Sequence, residues 1–522
     1  MTVNAIMHFF GHTPLSISNA LRIARGTLPI GLHEKTIFKL KASAAIVEDI
    51  RKGDAPVYGI NTGFGFFCNT QISHENIRLL QEKLLKSHAV GVGSYLSKET
   101  AKLMLILKIQ ALCQGYSGVS VALVKKLIFW LEHDLIPAVP EKGSLGASGD
   151  LAPLAHLFLP LLHLGEIHHQ GAIKSAKEVL EKANCSAYTL QAKEGLALIN
   201  GTQYIAAHAV QIVERFHRCL SHADLIGALM VDALMGSAQP FDPRLHQLRP
   251  FSGVRYVAHR LHSLLEGSEI LKSHTHCLRV QDPYSLRCMP QVHGASRATW
   301  LHLKELTATE VNAVTDNPII IDAETVISGG SFHGQPLAMA LDYATLALSE
   351  LGNISDRRIY LSLEGKTDGT PKMLVDDPGL NSGLMILQYT TAALVNENKS
   401  LCYPASADSI PTCLGQEDHV SMGATAARKA MTVAENVEQI LALELIAACQ
   451  ALDYRIPLKT SKALQEIVKR VRKTIPHLKE DVFISQYIRA ANELLQSGTL
   501  IDVLDQHMSL KENTAFSDFE TY

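Results

Sequence analysis

The chain has 522 residues, 47% hydrophobic and 19% charged, the balance of a globular protein with a substantial core. Its formal net charge of −3 and the lack of a basic tract argue against a nucleic-acid partner. No stretch approaches the roughly 18 uninterrupted apolar residues of a membrane span.

In chain order, the opening MTVNAIMHFFGHTPLS has no charged leader before its short apolar run. It makes a poor signal peptide, and a cytoplasmic location is expected. The first ~110 residues are rich in glycine and turns, with short β-rich pieces such as APVYGINTG (55–63). They predict a smaller mixed domain over 1–118, followed by a long-helix bundle over 119–522. Helical patterns cover about 335–351, 381–401 and 418–454. These segments exceed the roughly 11–12 residue mean, and long neighbouring helices point to a mainly α fold with a central bundle. In the last of them Val433, Val437, Ile440, Leu441, Leu445, Ala448 and Leu452 fall at helical spacing. Glu444 lies on the same stripe, where a buried carboxylate requires a partner. The nine cysteines form no C-x-x-C pair. Cys68, Cys113 and Cys449 sit among apolar neighbours, as buried thiols in a reducing compartment would.

Several common chemistries fail on spacing. Gly365-Lys366-Thr367 resembles the end of a phosphate loop, but Tyr360 stands where its first glycine belongs. His33-Glu34 and His74-Glu75 begin a zinc-protease pattern that Ile37 and Arg78 break. His168-His169 and His274-x-His276 lack the carboxylate or cysteine spacing of a metal site, so no metal is expected. Gly146-Ala147-Ser148-Gly149 misses the nucleophile elbow because Asp150 replaces its last glycine.

The stretch GSLGASGDLAPLAH (143–156) has another use. A tripeptide bent hard enough lets the Gly149 amide nitrogen attack the Ala147 carbonyl carbon and close a five-membered ring. Glycine tolerates the dihedrals this needs and puts no side chain in the way. Loss of water from the ring, and of the Ser148 hydroxyl, leaves a methylidene-imidazolone, an electrophile no ordinary side chain matches. Taken alone, the tripeptide reads as a small-residue turn capped by Asp150.

This stretch resembles the segment of the aromatic amino acid ammonia-lyases that matures into the methylidene-imidazolone (MIO) cofactor. YGINTGFG (58–65), SHAVGVG (87–93), EGLALINGTQ (194–203), QDPYSLRCMPQVHG (281–294), TDNP (315–318), SFHGQPLAMALD (331–342), GLNSGLM (379–385) and QEDHVSMG (416–423) are similar to further blocks of that family, in its order. The resemblance implies a mainly helical, fumarase/aspartase-like lyase architecture and a homotetramer with shared active sites. It also implies MIO made from Ala147, Ser148 and Gly149, with no external cofactor. Elimination from an α-amino acid needs an electrophile that captures the amine and a base for the poorly acidic β-proton. By the resemblance, Tyr58 is the base and Tyr284 a second catalytic tyrosine near the MIO and the amine. Arg287 holds the substrate carboxylate, Asn200 and Gln281 are polar neighbours of MIO and carboxylate, and Phe332 lines the pocket.

The side-chain pocket decides the amino acid. A buried polar group left unpaired costs on the order of 1–3 kcal/mol, so an imidazole and a phenyl ring need different partners. His88 matches the family's selectivity position and suits histidine or tyrosine better than phenylalanine. Glu417, expected at a helix start where a carboxylate stays ionised, can accept a hydrogen bond from imidazole. The block QEDHVSM (416–422) that carries Glu417 resembles the histidine-specific members of the family, so histidine is the substrate the resemblance implies, with tyrosine, or a silent helical relative, as the alternatives. The fumarase and aspartase signature is only echoed by SLRCMPQV (285–292). Ser331, Gly334-Gln335 and the stretch 361–375 depart from the family pattern, which touches pocket detail and not the ring chemistry.

Overall fold

The computed structural model describes residues 7–53, 55–67, 69–275, 279–507 and 514–522. It is mainly α-helical, with helices up to 31 residues long at Gln203–Ala233 and Gly423–Asp453. The chain forms two compact units, one of residues 1–211, 303–342 and 404–428, the other of 212–302, 343–403 and 429–522.

Every strand among the described residues belongs to the first unit. His8–Phe10 pairs in parallel with Ile30–Leu32, and Val92–Tyr95 runs antiparallel to Pro140–Lys142. Glu166–His169 lies between Ile136–Pro137 and Ala172–Ser175, with His168 opposite both Ile136 and Ile173. Helix Lys98–Leu112 is the centre of this unit, and all its residues from Leu103 to Leu112 are buried. Ser97 caps it by accepting from the Thr100 amide at 3.1 Å, which satisfies one of the amides a helix start leaves open.

Among the described residues, every regular element of the second unit is a helix, joined by turns and loops. The stripe read from the sequence is buried, from Val433 at 0% exposure to Leu452 at 6%. Glu444 has the partner its burial demands. The guanidinium of Arg358, itself fully buried, donates from Nε and, at 3.1 Å, from Nη2. Removing one member of such a pair strands a charge away from water. Arg358→Ala is expected to destabilise the protein by about 3–5 kcal/mol, read as a lowered Tm. A Tm within about 2 °C of the parent would contradict this.

Four differences from the sequence reading each have an identifiable hydrogen-bond cause. The 335–351 segment continues as helix Gln335–Leu363, because the polar run after Leu351 supplies Ser355 and Arg358 to the buried ion pair. The 381–401 helix starts late, at Met385. The Asp481 carboxylate accepts from the Ser382 and Gly383 amides at 2.8 Å each and holds that stretch in a turn. The 418–454 helix starts at Gly423, since the Met422 amide bonds to the Leu145 carbonyl and Val420 to the Ser409 hydroxyl. The segment read as β-rich, 55–63, is a turn that Asn61 closes. Its side chain accepts from the Val57 amide at 2.7 Å and donates to the Ala55 carbonyl at 2.9 Å. Cys113 and Cys449 are fully buried, whereas Cys68 lies outside the described residues.

Candidate active site

Within the first unit, a cavity of about 560 Å³ gathers Tyr58, His88, Ser148, Asn200 and Glu417. Phe64, Leu84, Leu151, Leu196 and Ile199 give it an apolar wall. A mostly apolar cavity with a few convergent polar groups is the usual form of a small-molecule site.

Backbone geometry sets the position of Ser148. Gly149 has φ +80°, in the left-handed region, and a Cβ placed there would meet the Gly201 carbonyl oxygen at 2.2 Å. Only glycine fits. The segment is held on both sides of the tripeptide. The Met422 amide donates to the Leu145 carbonyl at 2.9 Å, and the Asp150 amide to the Gly201 carbonyl at 2.7 Å. Among the described residues, no backbone hydrogen bond takes the Ala147 carbonyl or the Gly149 amide. The two groups that would close a ring are thus free of competing bonds, in a loop whose ends are fixed.

Asp150 anchors this loop. Its Oδ1 accepts from the Ser144 hydroxyl at 2.8 Å and its Oδ2 from the Tyr204 and Ile205 amides at 3.1 Å each. Those amides belong to the first turn of helix Gln203–Ala233, so the carboxyl caps that helix and not the one it precedes. Burial pushes the Asp150 carboxyl up to about 7, against the pull of the Ile205 amide, the Ser144 hydroxyl and the Tyr204 amide. Lys108, also buried, donates to the carbonyls of Ala197 at 3.1 Å and Asn200 at 2.5 Å, at the end of helix Glu194–Ile199. Burial pushes its ammonium down to about 7, with Asp316 pulling it back up. The Asn200 segment is therefore gripped by a lysine on one side and tied to the tripeptide through Gly201 on the other. Asn200 is 3% exposed and its Oδ1 has no hydrogen-bond partner, an orphan acceptor in a residue that lines the cavity.

Glu417 is not at a helix start. It pairs with Thr412 in an isolated antiparallel bridge, and helix Gly423–Asp453 begins six residues later. Hydroxyls hold its carboxylate instead of a helix dipole. The Thr412 hydroxyl donates to Oε2 and the Ser148 hydroxyl to Oε1, both at 2.8 Å. His88 ends helix Ile77–His88 with Nδ1 2.9 Å from the Ser87 hydroxyl. Burial holds its imidazole below the usual range, against the Leu84 carbonyl and the Glu417 charge. Tyr58 sits in the turn closed by Asn61, and its hydroxyl accepts from the Gly65 amide at 3.5 Å.

The remaining candidates lie elsewhere. Phe332 is half-buried in the turn before helix Gln335–Leu363 and is not among the cavity's lining residues. Gln281, Tyr284 and Arg287 belong to the second unit. Gln281 and Arg287 line a cavity of about 700 Å³ there, with Met235, Gly236 and Asp282. Tyr284 is 69% exposed, and the Arg287 guanidinium carbon lies 4.7 Å from its ring centroid. The sequence reading missed Lys108 and Thr412. Lys108 had a signal, as the one charge in the apolar run LMLILKIQAL (103–112).

The sequence profile described as Aromatic amino acid lyase matches residues 15–473. A curated histidine ammonia-lyase of Desulfotalea psychrophila is 45% identical over 485 residues, covering 93% of this chain and 95% of that one. The crystal structure of histidine ammonia-lyase from Trypanosoma cruzi superposes with a TM-score of 0.90 at 37% identity, covering 98% of each chain. A tyrosine aminomutase from Streptomyces globisporus superposes equally well, with a TM-score of 0.91 at 31% identity over 97% of this chain and 99% of that one.

Proposed function

As this chain belongs to the aromatic amino acid lyase family, we propose that it is a histidine ammonia-lyase, converting L-histidine to trans-urocanate and ammonia in the first step of histidine degradation. The observation that carries the choice of substrate is Glu417, a carboxylate in the same cavity as Ser148 and His88. An imidazole ring offers it an N–H donor, while a phenyl ring would leave it unpaired.

The residues present fit a ring formed by Ala147, Ser148 and Gly149, by the glycine-only geometry at 149 and the free Ala147 carbonyl and Gly149 amide. When matured, that group supplies an electrophilic carbon for the substrate amine. The chain's other residues bind and move protons. Tyr58 takes the β-proton at its phenolic oxygen, a task for the phenolate, since a free phenol has a pKa near ~10. The Gly65 amide is the donor directed at that oxygen. His88, kept neutral by burial, leaves the imidazole of the substrate unopposed by a second positive charge. The Asn200 side-chain oxygen is an acceptor for the amine. Gln281, Tyr284 and Arg287 complete the site from neighbouring copies in a homotetramer, Arg287 offering its planar fork to the substrate carboxylate. The seven described cysteines are all free thiols, which suits a reducing, cytoplasmic setting.

The test is near-ultraviolet absorbance of the purified protein mixed separately with L-histidine, L-tyrosine and L-phenylalanine, since each product is a conjugated acrylate. Absorbance is expected to grow with histidine, and kcat/KM for phenylalanine to fall roughly 10⁴-fold lower. Tyrosine turned over faster than histidine would overturn the pocket reading and leave the family chemistry standing.

A further inference from the structure

The electrophile has to be made by the chain itself, and the Ser148 hydroxyl must leave in the process. We propose that Glu417, beyond its role toward the substrate ring, is the proton-transfer group that dehydrates Ser148 during maturation. This inference rests on the reading of Ala147-Ser148-Gly149 as the ring-forming tripeptide.

The unmatured geometry places a carboxylate on the leaving group. The Ser148 hydroxyl donates to Glu417 Oε1 at 2.8 Å, across 269 positions of sequence. The other oxygen, Oε2, is fixed by the Thr412 hydroxyl at 2.8 Å. The Thr412 amide also donates to the Glu417 carbonyl at 2.9 Å, so the backbone beneath the carboxylate is pinned. A carboxylate held at its far oxygen and aimed with its near one is preorganised for a proton transfer at Ser148 Oγ. Asp150, the other nearby carboxyl, is committed to the Ser144 hydroxyl and to the amides of Tyr204 and Ile205, so its work is to shape the loop. His88 bonds to the Ser87 hydroxyl.

The steps balance without an external reagent. Ring closure joins the Gly149 nitrogen to the Ala147 carbonyl carbon, whose oxygen departs as a first water. The ring makes the Ser148 Cα–H acidic. Its proton passes to the Glu417 carboxylate, and the electron pair left at Cα becomes the Cα–Cβ double bond as Cβ–Oγ breaks. Glu417 gives the proton to Oγ, which leaves as a second water, and the carboxylate is restored.

Intact mass tests this apart from turnover. The parent protein is expected two waters below its encoded mass, and Glu417→Gln, which keeps the shape and an acceptor oxygen, only one water below. Glu417→Asp, which retains the carboxylate on a shorter arm, is expected to start one water below and drift to two over time. Glu417→Gln two waters below its encoded mass as promptly as the parent would overturn the proposal and leave the functional reading intact. Glu417→Gln at its full encoded mass, with parent-like circular dichroism, would also overturn it, by placing Glu417 at ring closure. A parent at its encoded mass would sink the functional reading itself.

Discussion

Ser148→Ala is expected to lower the rate of ammonia release from L-histidine by at least about 1,000-fold, equivalent to ~4 kcal/mol of transition-state stabilisation. The Tm should stay within a few degrees of the parent. These effects separate because the hydroxyl does little for the fold. Ser148 is half-buried, and its Oγ donates one hydrogen bond, to Glu417. A bond of that kind contributes about 0.5–1.5 kcal/mol net. Its chemical role is larger, since without a leaving group on Cβ there is no second dehydration and no methylidene carbon. Steady-state ammonia release and thermal melting measured on one preparation check both halves. A Ser148→Ala protein with parent-like turnover would end the ring account.

Gly149→Ala is expected to cost activity and stability together, which distinguishes it from Ser148→Ala. The left-handed φ of +80° costs an L-residue roughly 1–2 kcal/mol by itself. The added methyl would also sit 2.2 Å from the Gly201 carbonyl oxygen, a backbone atom that cannot rotate aside. That carbonyl accepts the Asp150 amide at 2.7 Å, so relieving the clash breaks the tie between the tripeptide loop and the Asn200 segment. The combined loss is expected at about 2–4 kcal/mol, with both maturation waters retained in the intact mass. A mature mass with an unchanged melting curve would show that the loop relaxes freely and that glycine is not required there.

Features of the chain were legible in the sequence in proportion to how local they were. The small-residue run at 143–149 and the Glu444 stripe could each be read from neighbouring residues. Glu417 was read as a helix-start charge, whereas it lines the cavity six residues before the helix begins. What delays that helix is a contact of Met422 with Leu145, distant in sequence. The hydrogen bond from Ser148 to Glu417 was invisible for the same reason. Lys108 stood out in its apolar run, but its partners are backbone carbonyls that carry no sequence signal. The turn at 55–63 mimics a strand in composition, because Val57, Tyr58 and Ile60 favour β structure. One asparagine side chain bonding to its own neighbours decides otherwise.

The most direct test of the central claim is the intact mass of the purified parent protein. The account predicts a mass two waters below that encoded by the 522 residues. A mass equal to the encoded one would contradict it, leaving residues 143–149 as a turn of small residues beside an unreactive cavity.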